Sequence, residues 1–135
     1  MRKFATLAVS LLAVLLVACT PEEASHLDAM NAFRQSNGVP ALGWDDVLYT
    51  KARAWSQHMA DEGKISHSKL SDGAPAGWRI LGENVAVNSS LEGAMTALQN
   101  SAPHRANLLD TRFTRTAVGV IHAKGMYWVT ESFVG

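Results

Sequence analysis

Only one cysteine, Cys19, occurs among the 135 residues of this chain. No disulfide can form within it, so an oxidising compartment would leave no mark on the fold. Charge of one sign is also missing, since twelve Lys and Arg stand against twelve Asp and Glu. With no basic tract and no interleaving of basic and aromatic residues, the sequence speaks against a nucleic-acid partner. It has no internal repeat and no low-complexity segment. Its one long apolar stretch, Phe4 to Ala18, is interrupted only by Thr6 and Ser10 and falls short of the roughly 20 residues that cross a bilayer as a helix.

That stretch has another use. Arg2 and Lys3 precede it and Leu16-Val17-Ala18-Cys19 ends it, the order of a charged start, an apolar core and a small-residue cleavage site in a secretory signal. The ending is similar to a bacterial lipobox, whose thiol takes a diacylglyceryl group. Residues 1–18 therefore read as a lipoprotein signal peptide and Cys19 as the lipidation site. The expected partner is a lipid bilayer, and the expected location is extracytoplasmic and membrane-anchored. Thr20 in place of Asp after the cysteine favours the outer membrane in a Gram-negative host. Cleavage leaves 117 residues with ten basic against twelve acidic side chains, enough for one domain with its own core. Residues 19–26, with Pro21, Glu22 and Glu23, read as the lipidated cysteine and a short solvated tether, and residues 27–135 as the domain.

From Leu27 the periodicity is helical. Leu27, Met30 and Phe33, with Ala32 on a wider stripe, fit a short helix stopped by Asn37-Gly38. Asp45 suits the cap of a second helix whose stripe is Val47, Leu48, Ala52, Trp55 and Met59, closing at Gly63. A loop rich in Ser, Gly, Pro and Lys runs from about Lys64 to Gly77. Ser90 then opens a third helix that buries Leu91, Ala94, Met95 and Leu98. In the last third the period shortens: Ala117 to His122 and Met126 to Phe133 are rich in β-branched and aromatic residues around Lys124-Gly125 and predict a hairpin. Helices first and a hairpin last predict an α+β sandwich rather than a doubly wound sheet.

One stretch resists this pattern. Ile80-Leu81-Gly82-Glu83-Asn84-Val85-Ala86-Val87 sets a carboxylate and an amide between apolar residues, and a buried, ionised Glu needs a partner. The outstanding candidates are His67 in the loop and His104 in Ser101-Ala102-Pro103-His104-Arg105-Ala106-Asn107-Leu108-Leu109. In this order the residues resemble the CAP superfamily of sperm-coating-protein-like domains, which takes in cysteine-rich secretory proteins, insect venom antigens and plant pathogenesis-related proteins. The resemblance covers Leu27 to Gly135. It rests on Asn31-Ala32-Phe33-Arg34, Leu42-Gly43-Trp44-Asp45, the helix through Ala52 and Met59, His67, Gly82-Glu83-Asn84, Ser101 to Leu109, Gly119 and Tyr127-Trp128. It is to the short bacterial branch, without the disulfides and extensions of the animal members.

The resemblance implies an α-β-α sandwich with a small antiparallel sheet between helices. It also implies a cleft lined by His67, Glu83 and His104, with Asn84 as a structural amide beside it. Two departures stand out. Animal members add a second cleft glutamate where this chain has Leu98-Gln99-Asn100-Ser101, and bacterial members often have Gln in the final strand where this chain has Glu131. Glu131 is thus a further cleft candidate or a solvent-facing residue, because one residue of register reverses a strand's face.

Two imidazoles and a carboxylate can be charge-paired, or can hold zinc or another divalent metal with an open water position. Their separations of 16 and 21 residues carry no motif, unlike HExxH on one helical face. The plainer reading is a hydrogen-bonded cluster that orders loops. Two functions are expected. The first is a membrane-anchored binding module for a lipid, peptide, glycan or protein, favoured because most members of the resembled family lack an established activity. The second is a metal-dependent hydrolase of peptides or cell wall, with Glu83 as its candidate catalytic residue. A Glu83 and Glu131 pair acting on a glycosidic bond is a lesser alternative, and Ser101 near His104 has little weight. His26, His58 and His122 read as surface histidines, Trp44, Trp55 and Trp128 as core, and Trp78 as a candidate ligand-facing ring. Asn88-Ser89-Ser90 reads as a turn and helix cap.

Overall fold

The computed structural model describes residues 19–135, so the expected signal segment lies outside the described residues. The elements follow in the order α1 (Pro21–Ser36), β1 (Gly43–Trp44), α2 (Asp46–Glu62), β2 (Leu81–Asn88), α3 (Leu91–Asn100), α4 (Ala102–Leu109), β3 (Arg115–Ala123) and β4 (Met126–Val134). They build a four-stranded sheet in the order β1-β3-β4-β2. The three long strands are antiparallel, as expected, whereas the two-residue β1 lies parallel to β3 and makes the sheet mixed.

Side-chain alternation along the strands feeds two cores. On one face Ala117 and Val134 meet Leu48 and Tyr49 of α2, and Val85 and Trp128 meet Met59 and Ala60. On the other, Val118, Val129 and Phe133 meet Met30 of α1, Ala94 and Leu98 of α3, and Leu108 of α4. The result is the expected three-layer α-β-α sandwich. Its hairpin turns at Lys124 and Gly125, both with positive φ, as a two-residue turn matched to strand twist requires. Asp45 and Ser90 cap α2 and α3 through Leu48 N and Gly93 N, and Gly63 ends α2 in the left-handed region.

The seam between α2 and β3 depends on Gly119. A Cβ there would lie 2.4 Å from the backbone of Ala52 and Arg53, so only glycine lets the helix settle this close. Ser56 Oγ fixes the seam by donating to Gly119 O at 2.8 Å.

The buried stripe of α2 is Leu48, Tyr49, Ala52, Ser56, Met59 and Ala60, rotated from the expected one. Val47 is 51% exposed and Trp55 only half-buried, because the core takes the polar Ser56 where apolar counting placed Trp55. Trp44 is likewise half-buried, and Trp128 alone of the three is a core ring.

The larger correction concerns residues 19–26. They are not a solvated tether: Thr20 is the N-cap of α1, with Glu23 N donating to Thr20 Oγ1 and Thr20 N donating to Glu23 Oε1 in a capping box. The buried residues of α1 are Glu23, His26, Met30 and Arg34, a helical stripe in which three of four members are polar. Each has partners. Glu23 accepts from Tyr49 Oη at 2.9 Å, Arg53 at 3.2 Å and Val120 N at 3.1 Å. His26 is paired with Glu131 and is no surface histidine. Arg34 donates to Pro40 O, Leu108 O and Asp110 O, joining α1 to the carbonyl end of α4. Burial holds the Arg34 guanidinium below its ordinary pKa, with Asp110 opposing that shift.

Two outcomes follow from these contacts. Burial, and then the bond to Glu23, hold the Tyr49 phenol above its ordinary value. Its contribution is therefore whole below the unfolded value of about 10 and lost as pH rises through the folded value. Tyr49→Phe should lower stability by about 1–3 kcal/mol at neutral pH, and urea melts should show that gap closing above about pH 10; a gap independent of pH would refute the role given to the hydroxyl. Gly119→Ala should cost about 3 kcal/mol, the upper end of ordinary overpacking, while Gly63→Asn at the α2 cap should cost far less. Equal midpoints for the two variants would mean that α2 can step back from β3 freely.

Candidate functional site

The loop from Lys64 to Gly77 has no regular structure, and its backbone groups are held by side chains from elsewhere. Trp55 Nε1 donates to Ser66 O at 2.7 Å. Lys51 Nζ donates to Lys69 O at 2.7 Å and to Asp72 O at 2.6 Å. The third anchor is Glu83 on β2, which accepts from His67 Nδ1 at 3.0 Å, from Ser68 N at 2.9 Å and from Ser68 Oγ. Glu83 is buried while the His67 side chain is 62% exposed. Since a carboxylate only accepts, His67 Nδ1 carries the proton and Nε2 is the ring's other polar atom.

Adjacent strand residues face opposite ways, and Asn84 accordingly points through the sheet. Its Nδ2 donates to His104 O at 3.1 Å and to Glu131 Oε1 at 2.9 Å, and its Oδ1 accepts from Asn107 Nδ2 at 2.9 Å. Glu131 is fully buried and its Oε2 receives His26 Nε2 at 2.8 Å. His26 Nδ1 is left buried without a partner, as is Ser132 Oγ. Asn84 is the structural amide that was expected, but it serves a second, internal polar network.

Of the three expected cleft residues, the structure joins two. Glu83 and His67 are in contact. His104 sits at the start of α4 with Nδ1 against Ser101 Oγ at 2.7 Å, and reaches β2 through its backbone carbonyl. Ser101, though the N-cap residue of α4, makes no side-chain cap bond; its hydroxyl serves His104. Glu131 belongs to the opposite face from Glu83, since Asn84 is its partner in register and Ser132 is Glu83's. A Glu83 and Glu131 pair astride one glycosidic bond is therefore ruled out.

Glu83 engages three donors with its two oxygens, and the Nδ1 atoms of His67 and His104 are held by Glu83 and Ser101, so Nε2 is the atom that each ring would offer a metal. Among the described residues no three His, Cys, Asp or Glu side chains group around a position for an ion. His58 and His122 are exposed, as expected, and stack on Trp55 and Tyr127 with ring centroids 4.5 and 4.1 Å apart. Trp78 is 45% exposed.

Sequence reasoning missed Glu23, His26 and Arg34. The signal was present: Thr20 followed by Glu23 is a capping pair, and positions 23, 26, 30 and 34 share one helical face.

The Glu83 contacts make a specific prediction. Glu83→Gln replaces an acceptor oxygen with a donor facing Ser68, so loop opening should rise about tenfold or more. Trypsin cleavage after Lys64 and Lys69 should accelerate accordingly, with a smaller change in the global urea midpoint. Cleavage at the wild-type rate would show that the loop does not depend on Glu83.

This architecture has relatives. Residues 27–132 match the family described as CAP, the cysteine-rich secretory protein family. The uncharacterized protein YkwD of Bacillus subtilis is 33% identical over 122 residues, covering 84% of this chain and 47% of YkwD. An extracellular protein of Bacillus anthracis containing an SCP domain superposes with a TM-score of 0.74 at 28% identity, over 87% of this chain and 44% of that one. An outer surface protein of Borrelia burgdorferi gives a TM-score of 0.75 over 84% of this chain and 91% of that one. At 15% identity that likeness is one of fold. The chain spans about half the length of the two Bacillus relatives. With the family model matched from residue 27 to residue 132 and a relative 33% identical over 84% of the chain, the protein belongs to the CAP family.

Proposed function

We propose that this CAP domain is a binding module that works outside the cytoplasm, held at a membrane through an acylated Cys19. The observation that carries a binding role over a hydrolytic one is the state of Glu83. Its oxygens accept from His67 Nδ1, Ser68 N and Ser68 Oγ, so three of its roughly four lone-pair sites hold the loop. A general base must be within reach of the proton that it removes, and the Glu83 side chain is shut off from solvent beneath that loop. Its role is to order the surface on which a lipid, a peptide, a glycan or a protein would rest.

Two observations support the location. Leu16-Val17-Ala18-Cys19 closes an apolar run behind Arg2 and Lys3, and the Bacillus anthracis relative is described as extracellular. Among the described residues no helix is long and apolar enough to cross a membrane.

Both halves of the reading are testable. In a bacterial host that processes lipoproteins, wild type should enter the membrane fraction with the added mass of a diacylglyceryl group, and Cys19→Ser should be soluble or uncleaved. Equal partition and unmodified mass would end the anchoring reading. On peptide and cell-wall substrates the purified protein should show no turnover, with or without chelator; turnover abolished by Glu83→Gln would establish the hydrolase instead.

A further inference from the structure

A groove on the outer side of α2 borders the Glu83 contact at Ser68 and runs from there along the helix face turned away from the sheet. Its cavity of about 670 Å³ lies between α2 and loop residues Ser68 to Gly73. The floor is a helical stripe of Val47, Ala54 and Trp55 that continues to His58, and Val47 and Ala54 are exposed. The Trp55 ring is fixed by its bond to Ser66 O and by its stacking on His58. Lys51 sends its ammonium to the carbonyls of Lys69 and Asp72 and lays its methylenes beside Gly73. The walls therefore offer carbon, and the nearest loop carbonyls are already taken. An alkyl chain seated against these carbon walls needs no hydrogen-bond partner.

Where the chain enters the fold indicates which alkyl chain. The groove begins at Asp46 and Val47, the N-terminal end of α2. Cys19 packs near the same end on the sheet-facing side of α2, against the cluster of Leu48, Tyr49, Ala117 and Val134, so a lipid on its sulfur reaches the groove by passing around the helix N-terminus. Trp44 joins the same cluster and donates its indole N–H to Asp46 at 3.0 Å. No tether intervenes, because Thr20 already caps α1. Resting on the reading of Cys19 as acylated, we propose that the groove between α2 and the loop seats one acyl chain of the protein's own Cys19 anchor.

From Val47 to His58 the stripe rises about 16 Å, a length suited to a long acyl chain. A seated chain is one that no longer enters the bilayer. Single-chain attachment is marginal and reversible, so filling the groove weakens the domain's hold on the membrane, and emptying it restores that hold.

The full chain, purified from membranes and reconstituted in vesicles of phosphatidylethanolamine and phosphatidylglycerol, is compared with Cys19→Ser by intact mass and then by hydrogen exchange. Acylated protein should exchange about tenfold more slowly over residues 68–73 than Cys19→Ser. Ala54→Glu, which puts a charge on the exposed groove floor, should keep the acyl mass and lose the protection. Free palmitate added to Cys19→Ser should restore protection, and should not do so when Ala54→Glu is also present. Acylated mass with exchange equal to that of Cys19→Ser overturns the proposal, as does protection that survives Ala54→Glu or a Cys19→Ser protein indifferent to palmitate. Unmodified mass overturns the anchor itself, and the mass measurement separates that failure from an empty groove.

Discussion

The Glu23 carboxylate is shut off from solvent and receives four donors from four places: the Thr20 amide, the Tyr49 hydroxyl, the Arg53 guanidinium and the Val120 amide. Taking such a group out of water is unfavourable unless every lone pair is used and an opposite charge stands near, and here both conditions hold. The position of Val120 explains the need. β1 covers β3 only at Arg115 and Thr116, which leaves Val120 on an unpaired strand edge. Glu23 takes its N–H and Arg53 approaches its C=O at 3.4 Å, so one end of α1 closes the edge as a further strand would.

A second polar chain runs through the other layer. His26, Glu131, Asn84 and Asn107 pass hydrogen bonds from α1 across β4 and β2 to α4. Glu83, one residue before Asn84, turns the opposite way and orders the loop. Two neighbouring polar residues on one strand thus serve two unrelated tasks. The apparent anomaly in Ile80 to Val87 resolves into strand alternation, with each side chain finding partners on its own face.

Much of this was legible in the sequence. The hairpin at Lys124-Gly125, the caps at Asp45 and Ser90 and the stop at Gly63 rest on local turn and cap chemistry, which depends on few neighbours. The Glu83 and His67 pair was reachable through the family resemblance, and only through it, because sixteen residues of chain, mostly irregular loop, separate them. What could not be read was long-range pairing of polar groups. Glu23, Glu22 and Pro21 look like a solvated segment until Tyr49, Arg53 and Val120 arrive from elsewhere. Apolar periodicity likewise put Val47 and Trp55 in the core, where Ser56 sits instead because Gly119 O and Thr130 Oγ1 satisfy its hydroxyl.

The bonds that bury α1 join the two ends of the chain: His26 to Glu131 across 105 residues, and Glu23 to Val120 across 97. Contacts of such sequence separation close late, because the loop-closure entropy must be met before they form. A chain emerging from its N-terminus can wind the first helix early, yet that helix has nowhere to hide its carboxylate and imidazole until the final strands exist. The domain consequently has no stable partial form lacking its last quarter. A growing chain would stay unfolded, and able to thread a narrow channel, until the synthesis of β4 let the whole structure close at once.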